Sequence, residues 1–350
     1  MFSENDIRPD IFNANKEIAY KKDLLFLISK MDSFIDVNCP ACNKNNKNIY
    51  FSKNNMRYVK CSKCKTVYIS PRPNNNILNE FYKNSEGYKF WNKYIFPSSE
   101  KARIKNIFIP RVNRIIEICN KYNVNKELFV EIGSGYGSFL KEMKDTKYFN
   151  RTIGIEPSYD LSMSCRNKGL EIVNKTLDNV RIFKKASMVS SFEVIEHVFN
   201  PSSFIRKCKD IIIKNGLLII TCPNVDGFDN YILRENSPTF DHEHLNYFNI
   251  KSLSKLIRNN GFRILETLTP GELDVDIVRN RYFDNNRLLN NNEFINRVIF
   301  DKSISRSFQE FLKDNLLSGH MWIVAMKGEW LWYARNVVRL FIMMSLNQIK

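Results

Sequence analysis

A chain of 350 residues with a formal net charge of +16 and 43% apolar residues is long enough for one sizeable core and a smaller module. Its lysines and arginines are spread over the whole length, so a solvated basic surface is favoured over a nucleic-acid partner. No apolar run reaches the roughly 18 residues of a spanning helix.

The start, MFSENDIRPDIFNANKEIAY, is polar and acidic where a secretory leader is basic and then apolar, so the expected location is the cytoplasm. Residues 1–36 are expected to be a helical segment. In such a compartment eight cysteines are thiols or metal ligands before they are disulfides. Four of them form a pattern: CPAC places Cys39 and Cys42 two residues apart, and CSKC repeats this at Cys61 and Cys64. Two such pairs close a tetrahedral four-sulfur site with no open position, which predicts a structural zinc ribbon over 37–72. Between the pairs, NKNIYFSKNNMRYVK has β-prone ends and an Asn-rich centre and reads as a hairpin. The remaining cysteines, Cys119, Cys165, Cys208 and Cys222, lie in apolar runs and read as packing residues.

Residues 73–125 carry a helical, aromatic pattern and are expected to be a connector or a lid. From 126 to 328 short apolar runs alternate with helical ones: LFVEI, RTIGIE, LEIV, ASMVSSF, GLLIITC and RILETLT, with helices such as SSFIRKCKDIII and IKSLSKLIRNN between them. That alternation predicts a doubly wound, Rossmann-like parallel α/β sheet of seven strands. A helical insertion over 271–318 precedes the last strand, HMWIVAMK. The tail, 329–350, is amphipathic, with Arg335 and Arg339 one helical turn apart. It is expected to pack on the core or a second subunit, or to make a peripheral membrane contact. The oligomeric state is left open.

The stretch FVEIGSGYGSFL joins a strand ending in a carboxylate to three alternate glycines and a helix start. Gly133, Gly135 and Gly137 let the backbone turn sharply and approach a ligand, with helix N–H groups aimed at it. A dinucleotide loop reads GxGxxG and holds a pyrophosphate, and position 138 here is serine. Glu131, directly before the loop, repels a pyrophosphate but suits the ammonium of a methionyl group. Glu156, ending the second strand, is placed for both hydroxyls of a ribose, a feature that an NAD-binding oxidoreductase would share.

With SSFEVIEHVFNP after the fourth strand, these motifs resemble the class I S-adenosylmethionine-dependent methyltransferases over about residues 128–268. The resemblance implies that Glu131 and Gly133, Gly135 and Gly137 hold the methionyl part and Glu156 the ribose. It puts Leu177 and Asp178 at the adenine edge and Ser191 and Phe192 near the sulfonium. A four-cysteine ribbon, SPRP, FY, this core and then HEHLNYF is further similar to the zinc-ribbon methyltransferases of surface-polysaccharide clusters and to the sugar C-methyltransferases. In the latter an EHLxYF pair, matched by Glu243 and His244, lies beside the substrate. The first motif reads GSGYG where those enzymes carry GSNDG, so transfer to carbon, oxygen or nitrogen stays open.

Methyl transfer from a sulfonium needs an acceptor held in line and a group to take its proton. A histidine oriented by a carboxylate does this; His244 is the first candidate, His197 the second, and His242 and His320 read as structural. A competing resemblance uses the same residues. Glu193, Glu196 and His197, with His244, resemble the divalent-metal site of the methyltransferases acting on the 3′-terminal ribose of small RNAs, whose metal polarises the ribose hydroxyls. The favoured expectation is a small sugar-type acceptor, nucleotide-linked or on a surface glycan.

Overall fold

The computed structural model describes residues 2–180, 184–284 and 292–328, so the tail assigned to 329–350 lies outside the described residues. Among the described residues no helix is long and apolar enough to cross a membrane. The strands are β1 (Lys47–Lys53), β2 (Met56–Cys61), β3 (Val67–Ile69), β4 (Leu128–Ile132), β5 (Arg151–Ile155), β6 (Ile172–Val173), β7 (Ala186–Phe192), β8 (Ile212–Pro223), β9 (Asn246–Tyr247), β10 (Phe262–Leu268) and β11 (His320–Lys327).

Seven of them form the large sheet, in the order β10-β11-β8-β7-β4-β5-β6. β4 and β7 are buried along their whole length, as strands covered by helices on both faces must be. Leu128, Val130 and Ile132 pack on one face with the Pro201–Ile211 and Ile250–Asn259 helices; Phe129 packs on the other with the Ile109–Lys121 and Ser138–Asp145 helices. Helix entry follows the side chains: Asn200 caps a helix that starts on Pro201, and Asn249 forms a capping box with Ser252. The strand order reverses at β4, whose neighbours are β5 and β7, and a crevice opens there at the carboxyl ends.

The sheet is not parallel throughout, which corrects the expectation. β11 runs antiparallel between β8 and β10. The chain leaves β10 for three helices, Asp274–Asp284, Glu293–Phe300 and Lys302–Asp314, and returns to fill the gap from the opposite direction. An apolar run of eight residues carries no information on its direction.

The small sheet, β1-β2-β3-β9, is antiparallel. β1 and β2 make the expected hairpin around Asn54 and Asn55, both left-handed at φ 52° and 60°, with Lys53 paired to Met56. Asparagine tolerates that conformation, which a two-residue type I′ turn requires. Its fourth strand is unexpected: β9 comes from the HEHLNYF stretch, nearly 180 residues downstream, and pairs Tyr247 with Val67. Arg72, buried, donates to the Asn246 side chain and the Phe199 carbonyl. Cys39, Ala41, Cys61 and Tyr68 share one core cluster with Val130 and Val189 of the large sheet. The cysteine-bearing segment is thus packed into the large domain.

Candidate active site

The loop after β4 turns on three left-handed glycines, at φ 77°, 53° and 82° for Gly133, Gly135 and Gly137. A Cβ on Gly133 would stand 2.4 Å from Val194 Cγ2, and one on Gly137 would stand 2.8 Å from Cys165 Sγ; around Gly135 nothing lies within 4 Å. Two glycines therefore let the loop pack down on its neighbours and the middle one leaves open space for a ligand. Gly133→Ala combines a strained φ with a clash against a β-branched side chain, and is expected to weaken donor binding at least tenfold by calorimetry.

Glu131 is 3% exposed and its Oε2 has no hydrogen-bond partner. Burial pushes its carboxyl well above the usual range, against the pull of Arg111; an arriving ammonium would restore the charge. Glu156 accepts from the Gly135 N–H through Oε2 and from the Ser158 N–H through Oε1, both at 2.9 Å. Burial raises it to about 7, with those two N–H groups working the other way. Leu177, Asp178 and Phe192 line the same cavity. Ser191 does not: it is fully buried in β7, because adjacent strand residues point to opposite faces, and only Phe192 of the pair reaches the ligand space.

Arg111 was not anticipated. It lines the cavity with its Nε buried and without partner, and its guanidinium lies 4.3 Å from the Phe192 ring centroid. Its charge acts on both Glu131 and Glu193. The sequence held a signal: in IPRVNRIIEICNK, Arg111 shares the helical stripe of Ile115 and Ile118, both buried, and an arginine on an apolar stripe needs a partner.

His197 and His244 also line this 2280 Å³ cavity, with ring centroids 4.6 Å apart. His197 Nδ1 lies 3.1 Å from the Glu243 carbonyl oxygen and His244 Nδ1 lies 2.8 Å from that of Thr239. A carbonyl only accepts, so each ring carries a proton on Nδ1, and in the neutral tautomer Nε2 is the accepting nitrogen. Burial and the neighbouring His244 lower His197 to about 3. His244 is therefore oriented mainly by a carbonyl, with the Asp241 carboxylate at 3.8 Å. Glu243 orients His197 through its backbone, and its buried carboxyl faces His242 at 4.0 Å.

Glu196 is 1% exposed, and neither of its carboxyl oxygens has a partner. Its ligand atom lies within 4.8 Å of those of His197 and His244. Glu193, the fourth member expected of a metal site, is turned elsewhere: its Oε1 accepts from Thr221 Oγ1 at 2.6 Å and from His320 Nε2 at 2.7 Å. His320, expected to be structural, lines the cavity.

The four N-terminal cysteines also converge. Cys39 and Cys64 sulfurs are 3.4 Å apart and Cys42 and Cys61 sulfurs 3.6 Å, close to the edge of about 3.8 Å that zinc–sulfur bonds of about 2.3 Å give a tetrahedron. The two knuckles match: Asn43 and Lys65 are both left-handed and donate to the Cys39 and Cys61 carbonyls, at 2.8 and 3.0 Å.

Residues 105–267 match the family described as Methyltransf_23, methyltransferase domain. The chain is an S-adenosylmethionine-dependent methyltransferase. The methyltransferase finds no match among curated proteins. Among solved structures it is similar to an S-adenosylmethionine-dependent methyltransferase from Clostridium acetobutylicum, at 12% identity over 68% of this chain and 99% of that one, TM-score 0.48. It is also similar to the methyltransferase held by the Trm112 activator of Haloferax volcanii, at 14% identity over 69% and 98%, TM-score 0.49. A third is the bacterial Hen1 methyltransferase domain, at 15% identity over 63% and 97%, TM-score 0.42.

Proposed function

We propose that this methyltransferase modifies a small, sugar-type acceptor, with His244 Nε2 taking the acceptor's proton and a structural zinc ion held by Cys39, Cys42, Cys61 and Cys64. The observation that carries the reading is one cavity lined both by the glycine loop and by two imidazoles whose Nδ1 atoms face carbonyls, so that Nε2 is the nitrogen left to accept a proton. Tyr20, Tyr82, Tyr88 and Trp91 line it too, an amphipathic surface of the kind on which sugar rings stack. Arg8 and Arg281 face one carboxylate, Glu4, at 3.1 and 3.6 Å, with Lys16 and Lys53 lining the same region. That cationic end suits the phosphates of a nucleotide-linked sugar. The donor would supply an activated methyl group; Glu131 would hold its ammonium, Arg111 its carboxylate and Glu156 its ribose diol, while His244 would take the proton that the acceptor atom gives up.

The test is incubation with methyl-labelled S-adenosylmethionine and a panel of nucleotide sugars, lipid-linked glycans and RNA. Label on a nucleotide sugar or glycan supports the reading; label on RNA alone, dependent on added manganese or magnesium, replaces it. That second reading has its own support in Glu196, whose two unpartnered oxygens stand beside His197 and His244, a carboxylate–imidazole donor set fit for a divalent ion.

Donor affinity should depend on pH. Glu156 accepts hydroxyl hydrogens as a carboxylate, and in the free protein it titrates at about 7. Below that pH the proton must leave before the ribose binds, so affinity falls as pH drops; Glu131, raised in the same direction, adds to the effect. Calorimetry is expected to show affinity rising several-fold from about pH 6 to 8, with a flatter profile in Glu156→Gln.

A further inference from the structure

We propose that the carboxylate of Glu193 is the counter-charge of the donor's sulfonium and makes the site prefer the charged donor over its neutral product. The inference rests on the reading of the cavity as the S-adenosylmethionine site. Its first support is position. Ile132 of β4 pairs with Ser191 of β7, which sets Phe192 level with Gly133, and Val194 is the side chain on which Gly133 packs. Glu193 lies between them and lines the cavity. It therefore leaves the sheet one strand away, about 4.8 Å, from the glycine loop.

The second support is how the side chain is held. Glu193 has φ 54°, a left-handed conformation rare outside glycine, asparagine and aspartate. Such a turn is retained where the surroundings enforce it. Thr221 and His320 both bond its Oε1, while the side chain as a whole stays 40% exposed. The carboxylate is thus fixed by one oxygen and still open to the cavity.

The third support is a count of charges. The methionyl end of the donor carries an ammonium, a carboxylate and a sulfonium. The facing wall carries Glu131, Arg111 and Glu193, and the Arg111 charge is felt by both acids. Each charge of the donor has one opposite on the wall. After transfer the sulfur is a neutral thioether, so Glu193 loses its match while the other two pairs remain.

The experiment is calorimetry with S-adenosylmethionine, S-adenosylhomocysteine and sinefungin, an analogue with an ammonium in place of the methylsulfonium. In Glu193→Gln, affinity for S-adenosylmethionine and sinefungin is expected to fall about tenfold or more, as loss of a partly screened charge pair implies, with S-adenosylhomocysteine changed less than twofold. Thr221→Val, which removes one of the two bonds that fix the carboxylate and leaves its charge in place, should move the ratio the same way by less. Equal losses for all three ligands, or no loss, overturn the inference and leave Glu193 a structural residue. Should Glu193→Gln not fold, wild-type protein that binds sinefungin no tighter than S-adenosylhomocysteine overturns it as well. Failure of wild-type protein to bind any of the three sinks the reading of the site itself.

Discussion

Replacing Cys61 and Cys64 by serine is expected to abolish zinc binding and to lower the melting temperature of the whole methyltransferase by about 5–10 °C, with no separate early transition for the small sheet. Structural zinc contributes about 10–16 kcal/mol to isolated zinc modules. Loss of about a third of that corresponds to the stated shift at about 1–2 °C per kcal/mol for a chain of this length. The single transition follows from the packing. Cys61 ends β2, and β2 is joined through β3 to β9, which belongs to the segment carrying His244. Asn249, the cap of the Ile250–Asn259 helix, donates to the Cys64 carbonyl. Unravelling the second knuckle therefore removes a cap from the large domain and a sheet edge from the histidine loop. Metal analysis and calorimetry check both parts. Undiminished zinc, or a melting temperature within about 2 °C of wild type, would show that the four thiols hold no metal or that the small sheet is a passive attachment.

Glu131, Gly133, Gly135, Gly137 and Glu156 were legible because each is a local event: a turn that only glycine makes, or an acid ending an apolar run. The two knuckles were legible for the same reason, since both ligands of a CxxC pair come from one tight turn. What the sequence concealed depends on pairings between distant segments. That Asn246 and Tyr247 form a strand is decided by β3, not by any propensity of a two-residue stretch. That Glu193 pairs with His320 instead of joining Glu196 follows from β11 entering the sheet backwards, which brings its first residue beside Pro223 at the end of β8. Ser191 and Phe192 show a finer limit. Both were assigned to the ligand from one motif, but strand alternation allows one of them to face it, and the residue composition of ASMVSSF, apolar and small on both faces, does not say which. Arg111 lay outside every motif, and only its place on an apolar helical stripe distinguished it.

The second large effect is expected at His244, and its partner Glu196 separates the two readings of the chemistry. On the acceptor that the labelling panel identifies, His244→Ala should lower turnover by about 10²–10⁴, the usual worth of a positioned general base, with S-adenosylmethionine affinity little changed because the groups His244 meets, the Thr239 carbonyl, the Asp241 carboxylate and the rings of His197 and Tyr247, are not among those assigned to the donor. Glu196→Gln should cost less than about fivefold if His244 works as a base. Burial, with Glu193 and Asp241 nearby, pushes the Glu196 carboxyl well above its ordinary range, which favours the protonated form that an amide of nearly the same shape replaces. A divalent ion reverses that expectation. It would require Glu196 as a carboxylate together with both Nε2 atoms, and Glu196→Gln would then fail as completely as His244→Ala, with activity restored to the wild type, but not to the variant, by manganese or magnesium. The comparison must be made with a chelator too weak to strip a four-thiolate zinc site, since loss of that ion would lower both activities through the fold. Equal collapse of the two variants, with metal-dependent turnover in the wild type, would move the proton-transfer role from His244 to a metal and the acceptor from a sugar-type molecule to a ribose.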